Sequence, residues 1–304
     1  MVTMKIKESS SKVKYSHALI IFAISAVVLT ALRLFQIKTS IDASTGFYTK
    51  TGFPVIFFFA LLFFSCLLLA VMSFVSEDSK SVSLNKKSTA MFAATLVFSF
   101  FVFFNGASSF IRSIASAGET QVTTTVFKSL MTSGAIPLFL QSVFALLSGI
   151  FFIELSFSFK KGDGSASSHR IAALMPVGWV SCRLLHLFVS KISFMRVSDL
   201  FLELIMCAFM VLFFMALAQV SSNVYSTDSR WRLAGFGLPA ALISAIISVS
   251  RLVFTVVSKE TYINENHPFN IVDLAFSVFA VMLVVLLMKD GGAAAEKEEK
   301  EIVS

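Results

Sequence analysis

Residues Val55–Val75 read VIFFFALLFFSCLLLAVMSFV, with no charged side chain among them. At 1.5 Å per residue, a helix of that length reaches about 30 Å, the thickness of a bilayer's hydrocarbon core. The run does not alternate apolar with polar residues, as a strand of a membrane barrel would. In lipid a backbone must satisfy its own polar groups, and outside a closed barrel only helices do so. This stretch therefore predicts an all-α membrane protein.

Comparable runs recur on both sides of it. Spans are expected near 17–36, 53–75, 89–111, 134–158, 171–192, 199–220, 233–257 and 270–288. The predicted fold is a polytopic membrane helix bundle of eight transmembrane helices, organised as helical hairpins. Composition agrees. The chain has 304 residues, 56% hydrophobic and only 14% charged, where soluble domains carry about a quarter. It holds 35 Phe. These figures exclude a disordered chain and a soluble nucleic-acid binder.

One membrane domain, 17–288, is expected between a short N-terminal segment, 1–16, and a charged tail, 289–304. The longest loop, Arg112 to Ser133, is rich in Ser and Thr. The first span follows basic residues but precedes Arg33 with no small-x-small cleavage site, so it reads as an uncleaved span.

Lys and Arg set the expected orientation. Fifteen fall on the side of the N-terminus, seven on the other side, and Arg33, Arg183 and Arg251 lie inside spans. The positive-inside rule then puts both termini in the cytoplasm. The net charge of +7 is a topology signal that also attracts anionic lipid, and implies no nucleic acid. The chain has no N-x-S/T sequon, which fits a bacterial inner membrane. Cys66, Cys182 and Cys207 all fall inside spans and read as small buried residues without a disulfide or metal role.

A weak repeat appears in the second half. Arg183-Leu-Leu-His-Leu-Phe-Val-Ser-Lys191 and Arg251-Leu-Val-Phe-Thr-Val-Val-Ser-Lys259 match at five of nine positions. Asp199-Leu200 opens the span after the first copy, and Asp273-Leu274 opens the span after the second. Arg33-Leu34-Phe35 is a fainter version, which extends the expectation to four hairpins. In the seventh span Gly237, Ala241, Ser244, Ser248, Arg251, Thr255 and Ser258 recur at steps of four and three, making one small and polar stripe. Arg183, His186 and Ser190 share a face of the fifth span, and Asp199 aligns with Glu203 on the sixth.

Lone charges in the bilayer cost several kcal/mol, so ion pairs are expected among Arg183, Arg251, Asp199, Glu203 and Asp273. Arg suits this role through bidentate bonds to carboxylates. Arg33 and Arg112, near span ends, are expected to snorkel toward the interface. His186 is the one histidine well inside a span and could carry protons. Pro137, Pro176 and Pro239 are expected in the first turns of their spans, where proline is tolerated.

The chain shows no H-E-x-x-H, G-x-S-x-G or P-loop motif, so no enzyme, cofactor or metal centre is expected. Two readings stay open. One is an outward-facing cavity for a small anionic solute, in binding or secondary transport, built from Arg33, Arg183, His186, Ser244, Ser248, Arg251, Asp199, Glu203 and Asp273. The other is a non-transporting accessory subunit, scaffold or sensor acting through other membrane proteins.

Overall fold

Among the described residues, long apolar runs fold into eight α-helices: α1 Tyr15–Thr39, α2 Phe53–Val75, α3 Thr89–Gly118, α4 Ile136–Lys161, α5 Met175–Ser190, α6 Val197–Ser221, α7 Ser229–Val257 and α8 Ile271–Leu286. The computed structural model describes residues 15–41, 48, 52–75, 87–118, 136–162, 170–190, 197–222, 229–257 and 270–286. The segment 1–14, the loop 119–135, Ser258, the repeat lysines Lys191 and Lys259, and the tail 289–304 lie outside them. So do the side chains of Ser190 and Asp199.

Among the described residues, six helices are long and apolar enough to cross a membrane. The described parts of α5 and α8 are shorter, at 16 residues for α5. A 3-10 turn, Ala172–Leu174, leads into α5. Helices consecutive in the chain alternate in direction, so α1 and α7 run parallel. The start of α3 meets the end of α4 through Ser88 N–H to the Phe159 carbonyl, 2.9 Å. The ends of α1 and α7 meet where Ile41, Ile37, Tyr48 and Phe254 pack together. We call the end holding the start of α1 the near end and the opposite one the far end.

Two boundaries correct the sequence expectation. Helix α3 continues through Asn105, Gly106, Ser108 and Ser109 to Gly118, because nothing there breaks a helix and the hydroxyls bond within it. Helix α7 begins at Ser229, so Pro239 lies about ten residues inside it rather than in its first turns. A proline there removes one backbone hydrogen bond. Pro137 and Pro176 do occupy first turns.

Lipid offers no hydrophobic drive between helices, so close packing and polar contacts must hold them. Helices α3 and α4 form the most extensive pair. Gly106 and Gly149 make this possible: a Cβ on either would stand 3.0 Å from Ala145 or Phe103. Ser99 Oγ donates to the Gly149 carbonyl across the same seam, 2.7 Å. Several other buried hydroxyls bond back to their own helix, as Ser73 does to Leu69 and Thr95 to Met91. That habit lets serine enter apolar helices without an unpaired donor.

Helix α8 lies inside the bundle. Phe276 and Phe279 are fully buried, and Phe279 stacks on Phe98 of α3 at 5.0 Å. Around them gather Phe152 of α4 and Phe213 and Phe214 of α6. Trp179 of α5 completes this aromatic core beside Phe214. The phenylalanines thus divide: Phe213 and Phe214 are core, while Phe100, Phe103 and Phe104 face outward.

Candidate functional site

The far-end halves of α5 to α8 carry the charges. Arg183 sits about two turns before the end of α5, and Arg251 at a similar distance from the end of α7. Both are buried, as are Asp273 and Glu203. Arg183 grips Asp273 with both terminal nitrogens, Nη1 to Oδ1 at 2.5 Å and Nη2 to Oδ2 at 2.8 Å. This is the bidentate geometry that suits guanidinium to carboxylate. Arg251 Nη2 pairs with Glu203 Oε1.

The pairing is exchanged between hairpins. The arginine of α5–α6 holds the acid of α7–α8, and the arginine of α7–α8 holds an acid of α5–α6. The two acids are not equivalent in the repeat. Asp273 opens α8, whereas Glu203 lies one turn deeper than Asp199, the repeat partner of Asp273. Aligning the two segments puts Ser277 opposite Glu203, and Ser277 Oγ donates to the Ala241 carbonyl at 2.9 Å. Cys207, one turn beyond Glu203, is buried and shares the electrostatic surroundings of Arg183, Asp273 and Glu203.

The α7 stripe is a packing seam along much of its length. A Cβ on Gly237 would stand 2.9 Å from the Phe213 ring. Ser244 Oγ donates to the Asp273 carbonyl, 2.5 Å, so the residue bound by Arg183 is held from its backbone too. Thr255 bonds back to Arg251. Ser248 and Ser250 are buried, and their hydroxyls have no hydrogen-bond partner among the described residues. His186 lies one turn past Arg183, half-buried.

Arg33 departs from its expectation. It does not snorkel. Only 1% of its surface is exposed. It turns inward because the chain after α1 folds back: Ile41 bridges to Tyr48, whose hydroxyl accepts from Arg33 Nη1 at 2.9 Å. Gln36 Oε1 accepts from the same nitrogen at 3.3 Å, and Gln36 Nε2 donates to the Pro54 carbonyl. The guanidinium also lies over the Phe58 ring, 5.9 Å from its centroid. Thus Arg33 forms a separate polar knot between α1 and α2. Arg112 is exposed and bonds to Ser108 and Ser109 of its own helix, as an interfacial arginine should.

Sequence reasoning missed Tyr48, Gln36 and Ser277. Gln36 was within reach, since it stands three residues after Arg33 on one helix face. Tyr48 gave no periodic signal because it reaches Arg33 through a loop. Among the described residues, no three His, Cys, Asp or Glu side chains converge as metal ligands would.

Fold and charge network together define an all-helical, multi-spanning membrane protein. Compared with known protein families, curated proteins and solved structures, the chain matches none.

Proposed function

We propose that the protein acts through other membrane proteins, as an accessory subunit, scaffold or sensor, and that the exchanged ion pairs hold its last four helices in one arrangement. In this reading it resides in a cell membrane with both termini in the cytoplasm, following its basic near end. The carrying observation is that Arg183 and Arg251, the groups an anion would seek, are each engaged by a buried carboxylate. An anionic solute would have to displace Asp273 or Glu203 and leave that carboxylate buried and unpaired, a costly exchange. No catalytic step belongs to this reading. Gentle extraction should recover the chain with a stoichiometric membrane-protein partner. If instead the purified chain moves a carboxylate or phosphate into vesicles, and Arg183→Gln or Arg251→Gln abolishes this while still inserting, the reading is wrong.

One observation favours the second reading, a carrier for a small anion. Ser248, on the Arg251 face of α7, has a buried hydroxyl with no partner among the described residues, as a residue on a polar path would. The exchanged pairs would then be a closed gate at the far end. Cysteine accessibility separates the two. With Cys66, Cys182 and Cys207 replaced, single cysteines go at Ser248 and Ile246. An impermeant thiol reagent that labels Ser248 but not Ile246 selects the carrier. Labelling at neither supports the partner-dependent component.

A further inference from the structure

We propose that a groove at the near end, between the entry of α5 and the last turns of α6, is a binding site for one anionic glycerophospholipid. The groove encloses about 320 Å³. Its walls are apolar along Met215, Leu174 and Ile171, and all three open outward, 45%, 55% and 75% exposed. From Met215 to Ser222 the α6 side of the groove runs about 10 Å at 1.5 Å per residue. That is a surface an acyl chain can lie along.

Polar groups gather at one end of this groove. Arg170, just before the 3-10 turn, and Ser222, just after α6, sit where helices leave the hydrocarbon. Gln219 also lines it, and its buried Oε1 has no hydrogen-bond partner among the described residues. A partnerless carbonyl oxygen in an apolar wall asks for a donor, which a headgroup glycerol hydroxyl supplies. Arg170 is exposed at the mouth and suits a phosphodiester.

The charge at the near end favours the same occupant. Lys160 and Lys161 close α4, and Arg232 opens α7, all at the near end. Arg170 is the cation among the residues that line the groove, and Lys160 is turned toward the Phe92 ring. Basic pockets between helices at a membrane face recognise anionic headgroups, at a strength of about fivefold in affinity per Lys or Arg. An apolar slot capped by one cation therefore fits an anionic two-chain lipid better than a zwitterionic one or a bare partner helix.

The test is native mass spectrometry of the purified, delipidated chain, offered palmitoyl-oleoyl phosphatidylglycerol and the phosphatidylcholine with the same chains. The expected result is one retained phosphatidylglycerol, favoured about fivefold over phosphatidylcholine. Arg170→Gln should lower the ratio, with the Gln219 contact still in place, and Lys160→Gln should leave it unchanged. Leu174→Trp, which fills the groove from its exposed side, should lower retention of both lipids with helix content unaltered. Equal retention of the two lipids by the native chain overturns the proposal, as does a preference undiminished by Arg170→Gln.

Discussion

Helix α2 is the most apolar of the six spanning helices, yet only 33% of its apolar window is buried inside the protein. Helix α7 is among the least apolar, and 83% of its window is buried. In water the order would be reversed. In lipid it follows directly. An apolar side chain gains little by leaving hydrocarbon for protein, so α2 can stay outside with Phe57, Phe63 and Phe64 facing lipid. Small and polar side chains gain from close backbone approach and from partners, so the glycine, serines and arginine of α7 go inside. A helix with one of the weaker apolar signals is therefore the one around which the far-end charges assemble.

This contrast can be broken most severely at Asp273. Asp273→Ala leaves Arg183 buried without its carboxylate, and should lower stability by about 3–5 kcal/mol. Unfolding by a titration from mild detergent into SDS would measure it, and a loss below 1 kcal/mol would mean that Arg183 reaches water. Gly237→Ala comes next. The added methyl meets the Phe213 ring and should cost about 1–3 kcal/mol in the same titration. Ser244→Ala removes one interhelical hydrogen bond and should cost about 0.6 kcal/mol, the usual size of such bonds in membranes. Phe64→Ala, on the lipid side of α2, should change stability by less than about 0.5 kcal/mol despite deleting the largest side chain of the four. A large loss there would show that protein rather than lipid covers that face.

The span pattern was legible because each run is long, apolar and bounded by polar loops. The charged residues were legible too, because a buried charge needs a partner and the sequence offers few. Which partner was not. Asp199 and Glu203 lie four apart on one helix face, and no periodicity decides which of them meets Arg251. The central place of α8 was equally hidden, since a helix that packs against several neighbours reads like any other apolar run. Arg33 misled for a related reason. Its distance from the span end suggested escape to the interface, but the chain folds back, so that Tyr48 supplies an acceptor from beyond the helix.

The exchange of partners between hairpins also has a bearing on synthesis. Arg183 and Asp273 are separated by 90 positions in the chain. At about 5–20 residues per second, the ribosome needs roughly 5–20 s to deliver the second after the first. Throughout that interval the α5 arginine is already made and its acid is not. The α5–α6 hairpin must be held by the insertion machinery, by lipid headgroups or by a passing protein until α8 arrives. A chain that stops before α8 lacks the Asp273 carboxylate, so its Arg183 never gains that partner.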